Sequence, residues 1–126
     1  MANILFVEDH YDTGLMVQML LADYGYEVTV AETMAEGADL AKDGEFDLFL
    51  MDNRFPDGSG AELCSQIRTF DDRTPVVFFS GENPSRVEEA MKCGAQGFVH
   101  KPNFQELPAV ITSLLGKRSV AGHTGN

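Results

Sequence analysis

The sequence is short of positive charge. Nine Lys and Arg stand against 20 Asp and Glu, a formal net charge of −11 at pH 7. A surface of that sign repels a phosphate backbone, which argues against nucleic-acid binding by this chain. Long apolar runs are missing too; none approaches the roughly 20 residues that span a bilayer. The start, MANILFVEDH, lacks the basic residues and long apolar segment of a secretory signal. From these absences the chain is expected to be cytoplasmic and to engage no membrane. Cysteine is scarce: Cys64 and Cys93 have no metal-ligand spacing. In a reducing compartment they are expected to be free thiols packed in helices. The sequence contains no internal repeat, low-complexity block, helix-turn-helix or catalytic output domain.

What is present suits one domain. The length is 126 residues and the apolar fraction 44 %, enough for a single core. NILFV (3–7), FDLFLM (46–51) and TPVVFFS (74–80) are short apolar runs of the kind that form strands covered on both faces. YEVTVA (26–31) alternates and is rich in β-branched and aromatic residues, as an edge strand would be; QGFVH (96–100) is a fifth strand.

Helical segments fill the gaps. The first has Asp12 as its N-cap, Leu15, Met19 and Ala22 at helical spacing, Met16 and Leu20 likewise, and Gly25 as its stop. The second is capped by Thr33, with Met34, Ala38 and Ala41 on one face and Gly44 at its end. The third spans 59–70 with Leu63, Ile67 and Phe70 inward. Asn83 caps the fourth, with Pro84 at its first position. Asn103 and Glu106 form the opening pattern of the fifth. Pro108 predicts that this last helix starts late or irregularly, since it lacks an N–H donor. Residues 1–116 are read as the domain and 117–126, which have no apolar period, as a flexible tail.

Five β-α units in alternation predict an α/β fold: a doubly wound parallel sheet, helices on both faces, right-handed crossovers. In such sheets a ligand sits beyond the carboxyl ends of the strands. The residues that follow each strand are therefore the ones to read. Glu8 and Asp9 follow strand one, Asp52 strand three, Ser80 ends strand four and Lys101 follows strand five. Glu32, after strand two, lies too far to one side if that strand is an edge.

Three carboxylates gathered at one edge repel, and a hard dication relieves them. Mg2+ (with Mn2+ as a substitute) takes oxygen ligands, keeps waters and shares sites with phosphate. Glu8, Asp9, Asp52 and the backbone carbonyl of Arg54 would form a partial shell. Lys101 and Ser80 would then meet an incoming phosphoryl group, whose transfer depends on positioning and charge neutralisation. Asp52 is the candidate nucleophile. His10 is read as a solvated loop residue because imidazole is a poor Mg2+ partner, and His100 as a strand residue near the lip.

These residues resemble the receiver domain of two-component response regulators. The resemblance covers residues 3 to about 115 and rests on VED (7–9), MDNRFPDGSG (51–60), FFSG (78–81) and HKP (100–102), in that order. It implies a flavodoxin-like five-stranded sheet in the order 2-1-3-4-5 with five flanking helices. It also implies that Asp52 takes a phosphoryl group from a histidine kinase or a histidine phosphotransfer protein. Asp9 and Asp52 would bind Mg2+ directly, Glu8 through water, and Ser80 and Lys101 would contact the phosphoryl oxygens. Phe98 falls at the family's switch aromatic, and the face of helix four, strand five and helix five would address an output partner.

The sequence departs from the commoner pattern at Glu8, Ser80, Gly81 and Phe98. Arg54 and Glu82, each two residues past a site residue, are expected to pair across the mouth and modulate dephosphorylation. An Asp-nucleophile phosphatase is one rival, although Arg54 stands where its second acid would be. An inactive receiver-like interaction module is another. A metal-dependent nuclease is disfavoured by the net charge of −11.

Overall fold

Ile4, Leu5, Phe6 and Val7 retain no solvent-exposed surface, and neither do Leu48, Leu50 and Met51. Each such side chain contributes about 1.5–3 kcal/mol by leaving water, and only a strand with layers on both sides can bury consecutive residues this way. In the computed structural model, which describes residues 2–122 and their side chains through 116, these runs are the middle of a five-stranded parallel sheet.

The strands are β1 (Asn3–Val7), β2 (Glu27–Ala31), β3 (Leu48–Met51), β4 (Val76–Ser80) and β5 (Gly97–His100). They lie in the order β2-β1-β3-β4-β5, all neighbours parallel, as the sequence predicts. The pairing sets Val7 beside Met51 and Met51 beside Phe78. β1 and β3 therefore end level, β4 runs two residues further to Ser80, and the residues at these strand ends share one edge. Between β3 and the next helix, Arg54–Phe55 and Gly58–Ser59 form a small antiparallel ladder.

Helices α1 (Tyr11–Ala22), α2 (Met34–Asp43), α3 (Gly60–Arg68), α4 (Pro84–Met91) and α5 (Leu107–Gly122) flank the sheet. Two clusters make the core, one on each face. Leu5, Val7, Phe49, Met51 and Phe78 pack with Leu63, Cys64 and Ile67 of α3. Ile4, Phe6, Leu50, Phe79 and Val99 pack with Val17 and Leu21 of α1 and Ile111 of α5. Among the described residues no helix is long and apolar enough to cross a membrane.

Local signals decide the helix ends. Thr33 accepts the Glu36 N–H at the start of α2, and Asp57 reaches across to accept from the N–H groups of Met34 and Ala35. Ser59 and Glu62 form a reciprocal capping box on α3. Asn83 caps α4 with Pro84 in the first turn. Ahead of α5, Phe104–Glu106 form a 3₁₀ turn and the α-helix proper begins at Leu107, the irregular start that Pro108 requires.

Several expectations need correction. The buried side of α1 is Gly14, Val17 and Leu21, whereas Leu15, Met16 and Met19 are exposed. That helix is apolar nearly all round, so its periodicity does not single out one face. Its N-cap is His10, without a side-chain cap bond, and Asp12 lies in the first turn. Phe70 is exposed because α3 ends at Arg68, so the residue no longer follows the helical period. Asn103 makes no side-chain cap. The backbone of α5 continues past Gly116 to Gly122; residues 123–126 of the expected tail lie outside the described residues.

The cysteines are not free. Cys64 of α3 and Cys93, just beyond α4, are joined in a disulfide with Cα atoms 5.9 Å apart. The helices lie side by side, so residues 29 apart in sequence meet within disulfide range. Arg68, one turn after Cys64, adds a second tie by donating to the carbonyls of Asp71 and Gly94 and to Gln96 Oε1.

Candidate functional site

β3 is the third of the sheet's five strands in spatial order, and Asp52 continues from its end. Its backbone N–H still bonds to the Val7 carbonyl, so the residue is held in line with the strand. The turn that follows approaches very closely. A Cβ at Gly60 would collide with the Asp52 carbonyl oxygen and lie 2.7 Å from the Phe78 ring. Glycine at position 60 is what lets α3 begin directly beneath this acid.

The two oxygens of Asp52 have different partners. Oδ1 accepts the N–H of Asn53 at 2.6 Å, and Oδ2 accepts from Lys101 Nζ at 2.9 Å. Lys101 Nζ also donates to Glu8 Oε1 at 2.8 Å. The Glu8 side chain is fully buried and that of Lys101 is 21 % exposed. Burial alone would lower the Lys101 pKa, but its hydrogen bonds to the carboxylates of Glu8 and Asp52, with their charges, hold it above the ordinary lysine value. The ammonium is thus firmly cationic at the base of the cleft. The Lys101–Pro102 peptide bond is cis.

Around the acid pair, His10 donates its backbone N–H to Glu8 Oε2, with its ring Nδ1 3.2 Å from the same oxygen. Nδ1 is 3.4 Å from Asp9 Oδ1. That oxygen of Asp9 is shielded from solvent and has no hydrogen-bond partner. Glu8, Asp9 and His10 each bring one ligand-capable atom within 4.8 Å of the others. A buried, unpartnered carboxylate oxygen beside further carboxylates is the donor chemistry a hard dication takes, so the residues fit Mg2+.

Above Asp52 lies an open cleft of about 480 Å³ lined by Ser80, Glu82, Arg54, Arg86 and Lys101. Ser80 is fully buried, and its Oγ accepts the N–H of Glu82 at 3.1 Å, leaving the hydroxyl proton free to donate. Arg54 is exposed and its backbone belongs to the small ladder after β3. Arg54 and Glu82 share the cleft, but Glu82 is paired elsewhere: Oε1 accepts from Asn53 Nδ2 at 2.8 Å, and Oε2 lies 4.0 Å from Arg86 Nε. The expected Arg54–Glu82 pair is replaced by these contacts. Phe98 is half-buried and packs against the core, with its ring 6.0 Å from that of exposed His100. Glu32 follows edge strand β2 and lies outside the cleft lining.

The structure therefore brings Glu8, Asp52 and Lys101 into one bonded group, with Asp9 and His10 beside Glu8 and Ser80 across the cleft. Sequence reasoning missed Asn53 and Arg86. Asn is a common turn residue and Arg a common helix residue, so neither offered a signal.

The profile of the response regulator receiver domain matches residues 4–112. The uncharacterized transcriptional regulatory protein YkoG of Bacillus subtilis is 34 % identical over 90 % of this chain and 50 % of its own. The cell cycle transcriptional regulator CtrA of Caulobacter vibrioides is 30 % identical over 96 % of this chain and 52 % of its own. The chain spans about half the length of the curated relatives it matches. Among solved structures, the chemotaxis response regulator CheY4 of Vibrio cholerae superposes with a TM-score of 0.84 at 29 % identity, covering 90 % of this chain and 98 % of that one. The response regulator TrrA of Thermotoga maritima, in complex with Mg2+ and BeF, has a TM-score of 0.84 at 27 % identity, covering 90 % and 99 %.

Proposed function

This chain belongs to the response regulator receiver domain family, and from that membership we propose that it is a phosphorylation-driven switch with Asp52 as phosphoacceptor. The observation that carries the reading is the placement of Asp52 at a central strand end, under an open cleft, with Lys101 Nζ 2.9 Å from its carboxylate. An oxygen of Asp52 attacks the phosphorus of a phosphohistidine on a histidine kinase or phosphotransfer protein. The P–N bond breaks, its electron pair stays on the imidazole, and an acyl phosphate is left on Asp52.

Mg2+, held by Asp9, Asp52 and the Arg54 carbonyl, with Glu8 acting through water, would neutralise charge on the phosphoryl oxygens. Lys101 supplies a fixed positive charge to the same oxygens, and the Ser80 hydroxyl donates a hydrogen bond to one of them. Arg54 and Glu82, at the cleft mouth, modulate how readily water reaches the acyl phosphate. The modification biases an existing equilibrium through its contacts with Ser80 and Lys101, and Phe98 follows. The α4–β5–α5 face then addresses an output partner or an output domain. This is cytoplasmic signalling, with slow self-dephosphorylation as the chain's own chemistry.

The test is intact mass after incubation with acetyl phosphate and Mg2+. One phosphoryl group per chain on the wild type, and none on Asp52→Asn, supports the reading. Multiple turnover of phosphate esters would replace it with a hydrolase, and no incorporation with an inactive interaction module.

A further inference from the structure

Asn53, next to Asp52, uses its whole amide. Its side-chain Oδ1 accepts the N–H of Ala61 in the first turn of α3 at 2.9 Å. Its Nδ2 donates to Glu82 Oε1 at 2.8 Å, across to the loop that follows β4. Glu82 in turn donates its own N–H to Ser80 Oγ. A continuous line of hydrogen bonds therefore runs from the start of α3, through Asn53 and Glu82, to the Ser80 hydroxyl.

This line fixes two things. It holds the Glu82 carboxylate, whose side chain is only 12 % exposed, in the wall of the cleft above Asp52. It also ties the backbone of the β4–α4 loop to the turn after β3, because Glu82 is bonded at both its side chain and its N–H. An amide bonded to a carboxylate is charge-assisted, hence stronger than a neutral pair. A phosphoryl group on Asp52 would share the cleft with that carboxylate, and like charges in a partly desolvated space repel. If Ser80 moves toward the phosphoryl group, the Glu82 backbone moves with it and the bond to Asn53 lengthens.

We propose that Asn53 is a positioning residue, a latch that holds the β4–α4 loop and the Glu82 carboxylate in the arrangement suited to unmodified Asp52, and so opposes occupation of the cleft by a phosphoryl group. This rests on the reading of Asp52 as the phosphoacceptor. The latch is separate from the bond to Ala61, which supports α3 alone. Glu82→Ala breaks the first and leaves the second.

The test is a double-mutant cycle on Asn53→Ala and Glu82→Ala, read as the apparent dissociation constant for beryllofluoride in the presence of Mg2+. Asn53→Ala should tighten binding about tenfold, the worth of one charge-assisted hydrogen bond, and Glu82→Ala at least as much, since it also removes a like charge from the cleft. The double variant should bind no tighter than the tighter single, because both remove the same bond. A residue with only a structural role would weaken binding when lost, not tighten it. Thermal melting reports the loss of the α3 support in Asn53→Ala; should that variant fail to fold, Glu82→Ala against Glu82→Gln decides, since Gln removes the charge but keeps an acceptor for Asn53 Nδ2, and equal tightening in both would overturn the latch. Unchanged or weaker binding by Glu82→Ala, or single effects that add in the double, would overturn the latch. A wild type that binds no beryllofluoride, and so matches Asp52→Asn, would overturn the phosphoacceptor reading along with the latch. Normal wild-type binding that the variants leave untouched would sink the latch alone.

Discussion

Lys101 and Glu8, 93 residues apart in sequence, form an ion pair at 2.8 Å in which the carboxylate retains no exposed surface. Removing one member of such a pair leaves a buried charge uncompensated. Lys101→Met should destabilise the fold by about 3 kcal/mol, near the low end for buried pairs because the lysine keeps some contact with water. Glu8→Gln in the same chain should restore most of that loss. Urea unfolding of the two single variants and the double checks it; equal losses in Lys101→Met and the double would refute the pairing argument.

Gly60 sets the position of Asp52 by contact. Gly60→Ala pushes a methyl group into the Asp52 carbonyl and the Phe78 ring. Overpacking of this kind costs about 2 kcal/mol. The variant should unfold at lower urea and bind beryllofluoride more weakly than wild type. Normal stability together with normal binding would show that the turn relaxes freely.

Asp71 closes the turn between α3 and β4. Burial alone would raise its pKa, but bonds from the Thr74 hydroxyl, the N–H groups of Thr74 and Arg73, and the charge of Arg68 hold it below the ordinary value of 3.8. Its stabilising contribution is therefore fully present above that value and is lost as pH falls through the lower folded-state value. Asp71→Asn should lose about 1 kcal/mol at neutral pH, and the gap from wild type should close on acidification below the ordinary carboxyl range. Urea midpoints across that range report it; a gap that does not narrow would assign the effect to packing.

The Cys64–Cys93 disulfide closes a loop with a sequence separation of 29. Chain-entropy reasoning puts its contribution at about 3.6 kcal/mol. Dithiothreitol should lower the urea midpoint of the wild type and leave that of Cys93→Ala unchanged. An equal response in both would mean that the bond adds nothing to stability.

Much of this architecture can be read from the chain because the covered strands are apolar without interruption. NILFV and VVFFS permit hardly any other arrangement, and the residues that follow them fall on one edge by the logic of parallel sheets. Asp52, Glu8 and Lys101 were legible for that reason. Pro108 likewise announced the displaced start of α5. The inner side of α1 was not legible, since Leu15, Met16 and Met19 compete with Val17 and Leu21 and only the fit of Gly14 against the sheet decides. The disulfide was hidden by a rule about compartments that knows nothing of helix neighbours. Glu82 was placed at the mouth, but its partner depends on a side-chain rotamer, which residue spacing cannot supply.

Asp57 fastens the turn after β3 to the first turn of α2 through two backbone N–H groups. One bank of the acidic basin is thus moored to the frame of the molecule, while the opposite bank hangs from Asn53 and Glu82. The two banks are thus held by different means, one by a pair of backbone donors from α2 and the other by a single side-chain bond.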